Sequence, residues 1–182
     1  MEIFHCIEPL VCFYLIKKGD LLLQKRSSAK ITFPDSYTNS CCSHPVADFQ
    51  GEDEENAVGV KRAAQRRLNY ELGIPLDSID LNEINYITRI HYKDEGNGKW
   101  GEHEIDYVLF LQADVKINPN PNEISEISFV PRAQLDDYVP TLSGQLTPWF
   151  QLILKHRLRF WWDNLNNLKE IMDHENILKL KL

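Results

Sequence analysis

Apolar and polar positions alternate along this chain in short blocks with distinct periods. Leu10 to Ile16 is an apolar run, Leu21-Leu22-Leu23 is another, and Lys17-Lys18-Gly19-Asp20 separates them. Two apolar runs flanking a short polar turn with a glycine predict a β-hairpin. A polar loop is expected from there to about Gly51. Ala57, Val60, Ala64, Leu68 and Glu71 then fall at steps of three and four, which predicts a helix over residues 57–72 with one shared face. Gly73 and Pro75 close it, and Asp53, Glu54 and Glu55 stand at its start, where negative charge suits the helix dipole. Glu71 continues the apolar stripe, and a carboxylate there is costly unless something pairs with it or coordinates it.

Ile84 to Tyr92 and Glu102 to Leu111 predict two strands joined by a turn at residues 94–98, with a shorter strand near Ser128–Val130. Pro148 through His174 is expected to be helical and is rich in aromatics, among them Trp149, Phe150, Phe160, Trp161 and Trp162. Strands interspersed with helices predict an α/β sandwich rather than a helical bundle. No repeat or Gly/Ser-rich linker divides the chain, so one domain over residues 1–182 is expected.

Composition narrows the function classes. With 182 residues and 43% hydrophobic content the chain can bury a real core. A net charge of −7 argues against a general nucleic-acid or anionic-membrane binder. No apolar run approaches the ~20 residues that cross a bilayer. Cys6, Cys12, Cys41 and Cys42 do not make a disulfide framework in a chain of this length, and the vicinal pair suits free thiols in a reducing compartment.

Three groups of residues carry candidate chemistry. Thr38-Asn39-Ser40-Cys41-Cys42-Ser43-His44-Pro45 places thiols two and three residues before an imidazole in polar surroundings. A C-x-x-C zinc pattern is absent, which favours a catalytic thiol over a structural metal ligand. Glu102 and Glu104 lie at i, i+2 on a predicted strand, so both point to one face, and Asp106 shares it. The strand continues into an apolar stretch, Tyr107 to Leu111, so these carboxylates stand at the edge of a core rather than on a solvated surface. Arg26 and Lys30, just after a predicted strand, could clamp a phosphate group, and Glu71 could add a divalent ion bridging the same oxygens.

The combination resembles the type I isopentenyl-diphosphate delta-isomerase family, closest to its animal members. The resemblance is carried by Gln24 to Pro34, Thr38 to Pro45, Gly59 to Leu68, Glu71 to Pro75, Ile84 to Tyr92, Trp100 to Tyr107, Thr147 to Phe150 and Trp161 to Leu165. It implies a Nudix-type α/β/α sandwich with a mixed β-sheet. It also implies conversion of isopentenyl diphosphate to dimethylallyl diphosphate by protonation and deprotonation, in isoprenoid and sterol precursor synthesis. The implied proton-transfer groups are Cys42 and Glu104, with Tyr92 hydrogen-bonded to the glutamate and Trp149 over the reacting carbons. Arg26, Lys30 and Ser43 would hold the diphosphate, with Mg2+ at Glu71. His44, Glu102 and Glu104 would hold a second metal, Mg2+ or alternatively Zn2+ or Mn2+. The implied partner is a small C5 diphosphate, with no nucleic acid and no membrane span. The chain is expected to be monomeric and cytoplasmic, with peroxisomes as the alternative suggested by Leu180-Lys181-Leu182.

The sequence departs from the family at its N-terminus, which is expected to lack the family's lead-in. Gapless alignment places Ile7 where a metal-binding histidine belongs, and His5 lies two residues away. A weakened metal site is therefore expected, and an isomerase-like protein that only binds a diphosphate or a partner stays open as an alternative. A Nudix pyrophosphohydrolase is the other. Its box, G-x5-E-x7-R-E-U-x-E-E-x-G-U with U aliphatic, keeps Glu71 here but has Val58, Arg67 and Tyr70 at the remaining glutamate positions.

Overall fold

The computed structural model describes residues 8–46, 48–52, 55–96 and 101–181, without the side chains of residues 8–13 and 15. The chain opens with β1 (Glu8–Lys17) and β2 (Asp20–Arg26), followed by the short β3 (Tyr37–Thr38) and β4 (Cys41–Ser43). Helix α1 (Val58–Leu72) leads to β5 (Asn85–Asp94), β6 (Glu102–Gln112) and β7 (Ile124–Val130). Three helices, α2 (Leu135–Tyr138), α3 (Pro148–His156) and α4 (Leu158–Asp163), precede β8 (Asp173–Lys179).

The strands form one mixed sheet in the order β3-β2-β1-β6-β5-β8, with β4 also paired to β1 and β7 to β2. β1 runs parallel to β6, and β5 parallel to β8, while the other pairs are antiparallel. The predicted hairpin is present. Lys18 and Gly19 both take positive φ, 53° and 91°, as a tight turn matched to strand twist requires.

Alternation along the strands creates two cores. Leu22, Leu109 and Leu111 pack with Val60, Ala63, Ala64, Leu68 and Leu72 of α1 on one side of the sheet. Leu21, Leu23, Val108 and Phe110 pack with Trp149, Phe150, Ile153, Trp161 and Trp162 of α3 and α4 on the other. Neighbouring residues of one strand thus serve opposite layers, and the result is the α/β/α sandwich.

Helix α1 keeps the predicted stripe, with Glu71 buried in it. Gly73 ends it at φ 62°, donating its N–H to Asn69 O at 3.0 Å, and a Cβ there would collide with the Asn118 carbonyl. The expected acidic start differs. The first turn contains no acidic residue, Asp53 and Glu54 lie outside the described residues, and Ala57 enters in a left-handed conformation.

Two other expectations are corrected. The C-terminal helical region stops short of His174. Its helices give way to a 3-10 turn at Leu165–Glu170, and residues 173–179 form β8 along the edge of β5. Asp-His-Glu-Asn-Ile-Leu-Lys has no strand alternation of its own, so what recruits it is the row of backbone groups that β5 leaves available. The polar loop through the cysteines is also not a surface loop. It contains β3 and β4, and Thr38, Asn39 and Ser40 are completely buried. Their polar atoms are satisfied inside: Ser40 Oγ donates to Leu22 O at 2.6 Å and Asn39 Nδ2 to Cys41 O at 2.8 Å.

Candidate active site

β5 and β6 build the acidic wall. Glu104 is the antiparallel partner of Tyr92, and Glu102 lies two residues further along the same face. The Tyr92 hydroxyl meets Glu102 Oε2 in a short contact and Glu104 Oε2 at 3.0 Å. One phenolic proton can serve only one carboxylate at a time, so the pair is crowded with negative charge. Burial and the neighbouring Glu104 push the Glu102 carboxyl up to about 7. Burial, Glu104 and Glu102 likewise push the Tyr92 phenol far up, so it stays a donor. His44 Nε2 lies 3.3 Å from Glu104 Oε1.

β4 decides which of the two thiols reaches this wall. Consecutive strand residues face opposite ways, so Cys41 enters the α1 core and Cys42 borders the α3–α4 core. Burial pushes the Cys41 thiol well above its usual range. Cys42 Sγ donates to Asn39 Oδ1 at 3.3 Å, and that oxygen also accepts from Thr38 Oγ1 at 2.9 Å and Trp149 Nε1 at 2.9 Å. Trp149 is delivered by the start of α3, which is pinned through Thr147: its N–H donates to Tyr37 O at 2.9 Å and its Oγ1 lies 2.8 Å from Thr38 Oγ1. The indole meets Phe33 edge-on at 5.4 Å and lies 5.9 Å from the Arg26 guanidinium.

The opposite end of the site is cationic. Arg26 spends Nε and Nη2 on the backbone carbonyls of Thr32 and Phe33, at 2.9–3.2 Å, which shapes the loop after β2. Lys30 Nζ pairs with Glu123 Oε2 at 2.5 Å. Arg67 bridges Glu71 Oε1 at 2.8 Å and Glu123 Oε2 at 2.7 Å, while Gln24 Nε2 donates to Glu71 Oε2 at 3.1 Å. Burial still raises the Glu71 carboxyl despite Arg67. Removing one partner of such a buried pair costs roughly 3–5 kcal/mol, because the other charge is left unpaired.

Of the residues expected to act in catalysis, substrate binding or metal binding, all except Tyr92 and His5 line one cavity of about 520 Å³. His5 lies outside the described residues. Tyr92 sits behind the wall, oriented on the carboxylates. Arg66, Arg67, Asn122 and Glu123 also line the cavity and were not anticipated as site residues, and neither was Asn39 behind Cys42. Arg67 could have been found from its i, i+4 spacing to Glu71. Glu123 has no local signal. It arrives because the segment after β6 docks on the end of α1, Asn118 N–H to Leu72 O and Asn120 N–H to Glu71 O, both at 2.8 Å.

The donors His44, Glu102 and Glu104 suit a divalent cation by type, and a cation would relieve the crowding of the two carboxylates. Among the described residues no three such side chains already converge on one ion position. These three are linked pairwise instead, by the His44–Glu104 contact and the shared Tyr92 hydroxyl.

Comparison with known proteins agrees with this arrangement. The NUDIX domain family matches residues 9–150. Isopentenyl-diphosphate Delta-isomerase 1 of Mesocricetus auratus is 55% identical over 172 residues, spanning 92% of this chain and 75% of the relative. Its counterpart in Mus musculus is 52% identical over 171 residues with the same shares. The isopentenyl-diphosphate Delta-isomerase of Dictyostelium discoideum is 45% identical over 168 residues, 88% of this chain and 70% of the relative. Among solved structures, a NUDIX hydrolase from Alicyclobacillus acidocaldarius superposes with TM-score 0.64 at 8% identity, covering 88% of this chain and 97% of its own. The MutT NUDIX hydrolase of Burkholderia pseudomallei gives TM-score 0.59 at 17% identity, over 84% and 99%. Those two likenesses establish the shared fold alone, whereas the sequence relatives reach further: the chain belongs to the isopentenyl-diphosphate delta-isomerase family, built on the NUDIX fold.

Proposed function

We propose that this protein isomerises isopentenyl diphosphate to dimethylallyl diphosphate. The observation that carries the reading is one cavity lined by a thiol, a buried carboxylate pair, an indole and a cationic end. The reaction adds a proton to the terminal alkene carbon, passes through a tertiary carbocation and removes a proton from the carbon nearer the diphosphate. It needs one proton donor and one acceptor beside the hydrocarbon, and Cys42 and Glu104 fill those roles. Whichever donates in one direction accepts in the other, since the reverse reaction follows the same path. Tyr92 holds the Glu104 carboxyl in place. Trp149 offers an aromatic face to the cation, and its packing against Phe33 helps exclude water.

Arg26, Lys30 and Arg67, together with Ser43, form the diphosphate end, where guanidinium and ammonium groups suit phosphate oxygens. His44, Glu102 and Glu104 would hold a divalent cation, and Glu71 a Mg2+ against the diphosphate. Such ions supply positive charge that keeps the carboxylates ionised and neutralises phosphate oxygens. Magnesium at both positions is our reading, with zinc or manganese as alternatives at the histidine site.

Arg67 favours isomerisation over hydrolysis. It occupies a glutamate position of the hydrolase box and lays a guanidinium against Glu71 and Glu123. A cation there takes the place of a metal-binding carboxylate. Among the described residues, no helix is long and apolar enough to cross a membrane, which suits a small water-soluble substrate.

The test is incubation with isopentenyl diphosphate and magnesium while both dimethylallyl diphosphate and released phosphate are followed. Isomer without phosphate is the expected result. Phosphate without isomer would replace the proposal with the hydrolase reading, and neither product would leave a binding protein.

A further inference from the structure

A second cavity, about 760 Å³, lies on the α1 side of the sheet, away from the face that bears Tyr92 and Glu104. The start of α1, β5, β6 and the segment leading into β8 enclose it. Three cations line it, Lys61 from α1, Arg89 from β5 and Lys169 from the 3-10 turn, and no Asp or Glu is among the lining residues. Among the described residues none of the three forms an ion pair with a carboxylate. Arg89 Nη2 donates to the carbonyls of His174 and Glu175 at 2.9 and 3.2 Å, while its Nε is buried with no hydrogen-bond partner. Burial pushes the Lys61 ammonium down.

Like charges gathered around one hollow repel, and an unpaired buried N–H costs roughly 1–3 kcal/mol. This occurs in a chain whose overall charge is −7, so the local excess of cations runs against the protein as a whole. The rest of the lining combines three neutral amides, Asn56, Asn82 and Asn85, with an aromatic and apolar wall. Tyr86 stacks on His174 with centroids 4.1 Å apart and meets Tyr107 at 5.5 Å, with Ile84 and Met172 beside them.

We propose that this cavity is a binding site for an organic phosphate, its phosphate or diphosphate held by Lys61, Arg89 and Lys169 and its planar or apolar body resting on the Tyr86–Tyr107 wall. Three cations from three separate elements match an anion of more than one charge better than a single carboxylate. An anion beside the Arg89 guanidinium also braces the side chain that holds β8 to β5, so occupancy tightens the docking of the C-terminal strand.

The experiment is titration of the isotope-labelled full chain with inorganic pyrophosphate, adenosine monophosphate and octyl phosphate in turn, read by backbone amide shifts. These probes separate the contributions of charge, planar body and apolar body. Saturable shifts at Lys61, Tyr86, Arg89, Tyr107 and Lys169 are expected, with a Kd of about 1 mM or tighter for at least one organic probe. The double variant Lys61→Ala/Lys169→Ala, on exposed or half-buried positions, should weaken that binding by about tenfold or more. It should leave isomerase turnover and the shifts around Arg26 and Lys30 unchanged. The proposal fails if no probe moves these amides by about 10 mM. It fails equally if the double variant binds as wild type does, or if sodium chloride of equal ionic strength produces the same shifts.

Discussion

The indole of Trp149 donates to Asn39 Oδ1 at 2.9 Å, and the Cys42 thiol donates to that same oxygen at 3.3 Å. One buried amide therefore sets the orientation of both the thiol and the aromatic wall. It also keeps the Cys42 proton on a neutral acceptor rather than a carboxylate.

Replacing Asn39 with Ala leaves the Trp149 N–H without its acceptor and should cost about 1–3 kcal/mol of stability. Turnover should fall by about tenfold or more, because two groups lose their common anchor. Asn39→Asp keeps the shape but places a negative charge against the Cys42 sulfur, which should slow its alkylation. Alkylation rates against pH for wild type and Asn39→Asp check this. An unchanged profile would remove Asn39 from the positioning of Cys42.

The two neighbouring thiols should behave oppositely. Cys42 borders the active-site cavity and Cys41 is completely buried under α1 with a raised thiol. An alkylating reagent should modify Cys42 first in the folded protein and protect that position against a second label. Cys42→Ala should abolish isomerisation, whereas Cys41→Ala should retain most of it and lower the melting temperature. Mass-mapped labelling with turnover measurements decides the matter, and equal loss from both variants would refute the assignment.

Glu104→Gln keeps the size of the side chain and removes its charge. Activity should drop by ~100-fold or more, the scale of a lost general acid or base. The Tyr92 hydroxyl can still donate to the amide oxygen, so the melting temperature should change little. Activity within a fewfold of wild type would exclude Glu104 from proton transfer.

Glu102 predicts the pH dependence of metal-free stability. Its folded carboxyl is pushed to about 7 from an ordinary 4.5, so the folded state holds a proton that the unfolded chain has released. Stability contributed by that proton is present at low pH and is lost as pH rises through this window. With a chelator present, the melting temperature should decline from about pH 5 to about pH 8. Glu102→Gln should flatten the decline, and a divalent cation bound at the carboxylates should reduce it. A wild-type profile that matches Glu102→Gln in chelator would show that Glu102 titrates normally.

Local periodicity made part of this molecule readable in advance. The stripe of Val60, Ala64, Leu68 and Glu71 predicts α1, and the i, i+2 spacing places Glu102 and Glu104 on one face, as the burial of α1 and the shared Tyr92 contacts bear out. Helix and strand periods follow from covalent geometry, so they survive in the order of residues alone. The same order marks the cysteine motif, but it does not reveal that Thr38, Asn39 and Ser40 lie inside the protein. Their burial is tolerated because Leu22, Thr147 and Trp149 supply hydrogen-bond partners, Trp149 from 110 residues away. Glu123 meets Arg67 and Lys30 only after the chain beyond β6 has docked on α1. β8 becomes a strand only where β5 offers it an edge. What tertiary structure alone decided, then, is which polar groups find partners. A buried polar side chain is paid for by residues remote in the chain, and no local pattern encodes them.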